Sequence, residues 1–284
     1  MIKGIILDVD GVIVGEKIGF NSPWPHPNVI GKLKKIRSKG IPISLCTAKP
    51  HFSIDKIIKD AGLNNYHIAD GGEVIINPIE NEIVEKHLLD SRITAEVINA
   101  YLKHNVYVEF YTVDNYVIQK NQVSEITRGH AHVLQKKARI VNNLKSEVLK
   151  SEVTKLMPIA KDENDKKKIT KIFEPFKNNL TLSWGVHPVI LPLQFGIITA
   201  PGISKKQGAV AISKNIDVSF ENILGIGDST SDWQFIELCK YGGAMGNAKQ
   251  ELKDLVLSKG KDFSRIGPSV DQNGIIEILD FFVK

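Results

Sequence analysis

The sequence predicts an α/β protein: a doubly wound, mostly parallel Rossmann-like core with a second, α+β domain inserted into it. Three observations carry this. At both ends of the chain, short apolar runs alternate with segments of helical spacing, as in strand–helix units around a parallel sheet. The middle mixes hairpin signals with helices, the pattern of a separate antiparallel sheet. The length, 284 residues, suffices for two domains with a core each. These shifts divide the chain into core residues 1–81, an insertion at 82–192 and core residues 193–284.

The elements follow in order. Residues 4–7 form an apolar strand that ends at Asp8 and Asp10. After a stretch rich in proline (Pro23, Pro25, Pro27), Val29, Ile30, Leu33 and Ile36 mark a helix over 28–38, closed by Gly40. Residues 41–46 are a second strand, ending at Thr47. Ile54, Ile57 and Ile58 mark another helix, ended by Gly62; residues 66–69, the turn Gly71-Gly72 and a strand over 74–76 follow. In the insertion, 106–112 and 116–119 form a hairpin around Asp114-Asn115. A helix over 124–135, a strand over 154–160, a helix over 165–176 and strands over 180–184 and 189–193 complete it, with the helices on one side of the sheet. The last segment has a helix over 205–213 and a strand over 222–226 that ends at Gly227-Asp228. A helix from about Asp232, short strands or loops at 242–245 and 262–266, and a closing helix over 274–282 finish the core.

Composition narrows the function. With 42% hydrophobic and 24% charged residues, nothing points to disorder. No apolar stretch reaches the roughly 18 residues of a membrane span. The apolar N-terminal segment is too short for a secretory signal and is interrupted by Asp8, so a cytoplasmic protein is expected. Cys46 and Cys239 lie far apart without metal-ligand spacing and read as reduced, buried thiols. The net charge of +5 suits an anionic substrate, but the lysines are dispersed, and the run Asp165-Lys166-Lys167-Lys168 reads as a solvated helix face. No nucleic-acid motif is present. Oligomeric state leaves no mark in the sequence.

The chemistry lies where strands end. In an open parallel sheet, ligands gather beyond the carboxyl ends of the strands. Three apolar strands end in polar groups: one at Asp8 and Asp10, one at Thr47, one at Asp228 with Asp232 four residues on. As neighbours they would gather four carboxylates and a hydroxyl in one crevice. Such a cluster calls for neutralisation. Mg2+ takes a few carboxylates and keeps water positions for substrate oxygens. A lysine supplies a point charge for phosphate, and Lys205 and Lys206 at a helix start are both placed to do so. One aspartate of such a pair can attack phosphorus and form an aspartyl-phosphate; the other can move the protons. Gly11 lets the backbone turn away directly after the acids.

These residues resemble the motifs of the haloacid dehalogenase superfamily of phosphohydrolases. The first motif, two Asp one residue apart and then Gly, is matched by Asp8-Val9-Asp10-Gly11. The second, a strand ending in Ser or Thr, is matched by Leu45-Cys46-Thr47. Lys205 matches the third, a Lys opening a helix. Gly227-Asp228-Ser229-Thr230-Ser231-Asp232 matches the fourth, and Ala244-Met245-Gly246-Asn247-Ala248 is similar to a stretch of the Cof-type branch. That branch carries an α+β cap between its second and third motifs, where the insertion falls here, so the resemblance spans essentially the whole chain. It implies that Asp8 is the nucleophile and Asp10 the general acid/base, and that Thr47 and Lys205 bind the transferring phosphoryl group. It also implies a Mg2+ held by the Asp8 side chain, the Asp10 carbonyl and Asp228, with Asp232 in support. The chain departs from the usual pattern at Val12 (Thr in the branch), at Ala48-Lys49 (Gly-Arg), at Ser229 and Ser231 (Gly and Asn), and at Lys206 (Gly).

Blander readings compete for single residues. Asp8-Val9-Asp10-Gly11 alone is also a polar turn, Thr47 also a helix cap and Asn247 also a turn former. An EF-hand loop does not fit, because no Glu closes it. His130 and His132 do not share a helix face, so they read as surface or partly buried side chains. Trp184, Arg128 and His187 in the insertion are candidates for touching substrate. The expected activity is Mg2+-dependent hydrolysis of a small phosphorylated metabolite, a sugar phosphate foremost. A phosphomutase would isomerise the sugar phosphate without releasing phosphate. A phospho-acceptor signalling module would hold a long-lived aspartyl-phosphate, but it lacks an acid two residues after the nucleophile and has no large cap.

Overall fold

The first strand, β1 (Gly4–Leu7), contains Ile5, Ile6 and Leu7, none with any solvent exposure. A strand apolar on both faces needs helices on both sides. The computed structural model describes residues 1–186 and 190–283. It divides into one unit of Met1–Glu85 with Ser204–Lys284 and a second of Lys86–Ile203.

In the first unit, β1 is followed by α1 (Pro27–Ser38), β2 (Ile43–Leu45), α2 (Asp55–Ala61), β3 (His67–Ala69), β4 (Val74–Asn77) and β5 (Glu82–Lys86). Helix α1 buries Val29, Leu33 and Ile36, and α2 stops at Gly62 in the left-handed region, where glycine is free of strain. The second unit has α3 (Ser91–Lys103), β6 (Tyr107–Tyr111), β7 (Tyr116–Gln119), α4 (Glu125–Leu134), β8 (Arg139–Val141), α5 (Leu144–Val148), β9 (Lys155–Ala160), α6 (Glu163–Phe173), β10 (Thr181–Val186) and β11 (Gln194–Thr199). The chain then returns to the first unit with α7 (Lys205–Asn215), β12 (Ile223–Gly227), α8 (Trp233–Ile236), β13 (Tyr241–Ala244), α9 (Gln250–Leu257), β14 (Ser264–Ile266) and α10 (Ile275–Phe282). No helix of the described residues is long and apolar enough to cross a membrane.

The core sheet has the order β14-β13-β12-β1-β2, and its neighbours pair in parallel. A single bridge, Cys46 to Ile68, continues it toward β3. The chain winds outward from β1 through β2 in its first half and from β12 through β14 in its second. The direction therefore reverses between β1 and β12, which opens a crevice at their carboxyl ends. Leu7 lies beside Ile226, so the residues that follow both strands arrive together. One sheet face packs Ile6, Ile223 and Ala244 with Ala209, Ile212, Phe235, Leu252 and Val256 of α7, α8 and α9. On the other side α1 contacts α2 and α10.

The second unit is a mixed sheet of order β10-β11-β9-β6-β7-β8, antiparallel except for β7 with β8. Val108, Phe110, Val117, Leu156 and Ile198 face α3, α5 and α6. The expectation of helices on one side needs correction. Tyr107 bonds Thr127 of α4, and Glu109 pairs with His130 of α4, so α4 lies on the opposite face. Every residue of β6 is buried, which requires cover on both sides. His130 is buried by this packing rather than at the surface, while His132 is exposed.

Two boundaries move. The expected strand over 189–193 does not form among the described residues 190–193. The six residues after it, β11, pair with β9 and β10 instead. The apolar run that suggested a strand contains Pro192, which has no N–H to give to a ladder. Because β11 belongs to the second sheet, that unit runs to Ile203 rather than to 192, and it starts at Lys86 rather than 82 because β5 forms a three-stranded sheet with β3 and β4.

Candidate active site

Asp8 directly follows β1, and its N–H donates to Ile226 O at 3.0 Å, which ties it to the end of β12. Its Oδ1 accepts from Val9 N at 2.8 Å, and its Oδ2 stands 3.1 Å from Lys205 Nζ. The next turn is folded by Val12, Ile13 and Val14, whose N–H groups all point to Val9 O. Gly11 within it has a φ of +75°, and a Cβ there would lie 2.0 Å from Asp228 Oδ2. Only glycine allows Asp228 so close to this turn.

Asp228 and Asp232 follow β12. Gly227 lets that turn close, since its Cβ would meet Asp232 Cβ at 2.3 Å. Asp232 is fully buried and both its oxygens are engaged. Oδ2 accepts from Asp228 N at 3.0 Å, Ser229 N at 2.9 Å and Ser229 Oγ at 3.1 Å; Oδ1 accepts from Lys205 Nζ at 2.6 Å. Ser229, a departure from the family pattern, thus caps the turn. Asn247 donates from Nδ2 to Gly11 O at 2.9 Å and lies 3.4 Å from Asp228 Oδ2, while its Oδ1 accepts from Val270 N at 2.9 Å. It ties the turn after β1 to the loop before α10.

Thr47, buried at the end of β2, has its backbone pinned by Thr47 N to Ile68 O and Gly71 N to Thr47 O. Its Oγ1 accepts from Lys49 N at 3.1 Å. Lys49 is itself buried, and its Nζ stands 3.2 Å from Asp10 Oδ1. The motif reading registered Lys49 only as a departure from the usual Arg. The signal was present: a cation two residues after the polar end of β2.

The electrostatics follow from burial. Burial pushes the Asp8 carboxyl up to about 7; Lys205 opposes this, and Asp232 and Asp10 add to it. Asp228 is raised to about 8 by burial, then by Asp8 and Asp232. Burial disfavours the Lys205 ammonium, but Asp232 and Asp8 together outweigh it and raise its pKa. Oxygens of Asp8, Asp228 and Asp232 lie within 4.8 Å of one another. Fully ionised, these three carboxylates with the one Lys205 ammonium carry two excess negative charges. Hard oxygen donors with that imbalance fit a small divalent cation such as Mg2+.

The remaining candidates have other surroundings. Lys206 is half exposed and pairs with Glu237 at 3.4 Å, so Lys205 is the inward lysine. The α-helical register explains the split, because successive residues point about 100° apart. Arg128 is exposed on α4 and pairs with Glu125. Trp184 is partly buried under Lys166. His187 lies outside the described residues.

A twisted parallel sheet with carboxylates at its switch point and an α+β insertion defines a class of α/β enzymes, and the comparisons specify it. The family model described as haloacid dehalogenase-like hydrolase matches residues 5–279, and the chain belongs to that family. Phosphatase YwpJ of Bacillus subtilis is 22% identical over 271 residues, covering 89% of this chain and 92% of its own. From the same organism, 5-amino-6-(5-phospho-D-ribitylamino)uracil phosphatase YwtE is 22% identical over 303 residues, covering 98% and 97%. A haloacid dehalogenase-like hydrolase from Bacteroides thetaiotaomicron shares the fold with a TM-score of 0.83 at 19% identity over 99% of both chains. The subclass IIB sugar phosphatase BT4131 superposes with a TM-score of 0.77 at 20% identity, over 99% of this chain and 98% of its own.

Proposed function

We propose that this chain is a Mg2+-dependent phosphomonoester hydrolase of small phosphorylated metabolites that works through an aspartyl-phosphate on Asp8. The observation that carries this reading is the buried Asp8–Lys205–Asp232 arrangement with Asp228 beside it. It supplies a nucleophile, a fixed cation and a place for a second one at the adjacent ends of β1 and β12.

Each side chain has a task that its surroundings support. An Asp8 oxygen attacks phosphorus, and the bond to the leaving oxygen breaks as the Asp8–phosphorus bond forms. Asp10 gives its proton to that leaving oxygen, releasing an alcohol. The Asp10 carboxylate then takes a proton from water. The water oxygen bonds phosphorus, the Asp8–phosphorus bond breaks, and phosphate leaves. Thr47 Oγ1 already accepts from Lys49 N, so its hydroxyl proton is available for a phosphoryl oxygen. Lys205, held by Asp232, offers a charge to another. Mg2+, bound by the Asp8 side chain, the Asp10 carbonyl and Asp228, would offset charge on the phosphoryl oxygens. It also answers the raised pKa of Asp8, because a nearby dication favours the ionised, nucleophilic form.

A sugar phosphate is the substrate class we favour. The fold neighbour BT4131 is a sugar phosphatase, and YwtE acts on a phosphorylated ribityl compound. Phosphate release from p-nitrophenyl phosphate with Mg2+ tests the reaction in wild type and Asp8→Asn. The substitution is expected to cost at least about a thousandfold in kcat. Equal rates in the two proteins would overturn the assignment. A panel of sugar phosphates, read for free phosphate against isomerised product, then separates hydrolase from mutase.

A further inference from the structure

Lys49 is placed unlike a surface lysine. It follows β2 by four residues, in a segment where both of its backbone polar groups are committed. Its N–H donates to Thr47 Oγ1 at 3.1 Å, and its carbonyl accepts from Asp70 N at 2.8 Å. Its side chain is 8% exposed, and the Nζ reaches Asp10 Oδ1 at 3.2 Å, while the Asp10 side chain is 31% exposed. The cation is therefore the buried partner and the acid the accessible one. Burying an ammonium is costly unless it is paired. A lysine with a fixed backbone and a buried stem, its ammonium within ion-pair distance of Asp10 Oδ1, is preorganised toward that oxygen.

Resting on the phosphatase reading above, we infer that Lys49 is a positioning residue for proton transfer to the leaving group. By placing its charge beside Oδ1, it biases the Asp10 carboxyl to carry its proton on Oδ2. The contact is compatible with both halves of the cycle. When Oδ2 bears the proton, Oδ1 is the carbonyl oxygen of the acid, and its partial negative charge still faces the ammonium. When the proton has gone to the leaving oxygen, Oδ1 shares the carboxylate charge, and the ammonium attracts it more strongly. The same anchor couples two tasks, because the Lys49 N–H orients the Thr47 hydroxyl. The phosphoryl-binding hydroxyl and the proton-handling carboxyl are thus held by one residue, through its backbone and its side chain respectively.

Leaving groups of different basicity separate this role from simple support of the fold. A p-nitrophenolate departs without a proton, whereas a sugar or alkyl alkoxide does not. Lys49→Met keeps the stem's bulk and removes the charge. Its kcat is expected to fall by at least about tenfold more on an alkyl phosphate or sugar phosphate than on p-nitrophenyl phosphate, with KM changing less than kcat. Lys49→Arg restores most of the difference by returning a cation. Circular dichroism and urea midpoints of both variants report whether the fold is kept. If Lys49→Met lowers turnover of the two substrate types by the same factor, or leaves both untouched, the inference is overturned while the Asp8-dependent phosphatase reading stands. If wild type itself releases no phosphate from either substrate, it is the underlying reading that fails. If Lys49→Met does not fold, Lys49→Gln and Lys49→Arg are compared on the same two substrates. An equal leaving-group dependence in those two variants overturns the inference.

Discussion

At Gly11 a single hydrogen atom decides whether the site can close. Its positive φ is strained for any L side chain, and its missing Cβ is the space that Asp228 Oδ2 occupies. Gly11→Ala should therefore displace Asp228 and weaken Mg2+ binding by about tenfold or more, as loss of ligand orientation commonly does. Calorimetric titration with Mg2+ measures it, and an unchanged affinity would show that Asp228 does not bind the ion. The acids were legible in the sequence because Asp8 and Asp228 close apolar runs, with Asp10 two and Asp232 four residues further on. Lys49 was legible only as a deviation from a pattern. Its partner Asp10 is distant in the chain, and no local signal says that the two meet. Lys205 and Lys206 were equivalent as letters; the helix turns one onto Asp232 and the other toward Glu237.

At the scale of elements, β2 and β3 meet through His67. The imidazole is fully buried, accepts from Leu45 N at 3.0 Å on Nδ1, and has Leu63 O at 3.0 Å from Nε2. An N–H donor on one side and a carbonyl on the other require the neutral ring with its proton on Nε2. Burial holds its pKa down at about 4, against 6.5 when free. The unfolded chain therefore takes up a proton that the folded one refuses. This contribution to stability is complete above about pH 6.5 and is lost as the pH falls toward about 4, by up to about 1.4 kcal/mol for each pH unit in that window. Urea midpoints of wild type and His67→Gln across the window test this; the acid-dependent loss should shrink in the variant. Most strands and helices of the first unit were readable because period and caps are local, although β5 and α9 were not expected. The second unit was read less completely. Strand β8 and helix α5, of 3 and 5 residues, are shorter than any reliable period, and the face of β6 that α4 covers carries Glu109, whose partner His130 is too far along the chain for a local pattern to show.

For the molecule as a whole, stability and the proposed function share the carboxylate cluster. Asp8 and Asp228 are raised to about 7 and about 8, so without a cation the folded state holds protons that the unfolded state has released. The metal-free protein should lose stability as pH rises from about 4 through about 8, and Mg2+ should restore it by replacing the protons. The gain in Tm on adding Mg2+ is thus expected to be larger near pH 8.5 than near pH 6, by roughly the difference in proton competition. Thermal melts with Mg2+ and with a chelator measure it. A gain independent of pH would show that the ion does not bind these carboxylates.

The sequence by itself determined the class of the core, the strand ends where chemistry gathers, and the aspartates, threonine and lysine placed there. Those features depend on hydrophobic period and on residues a few positions apart, which are local. Only the tertiary structure decided that Lys205 rather than Lys206 faces Asp8, that β11 completes the second sheet, and that Lys49 holds Asp10. Each of these depends on which side chains meet across a fold, and distance along the chain does not encode that meeting.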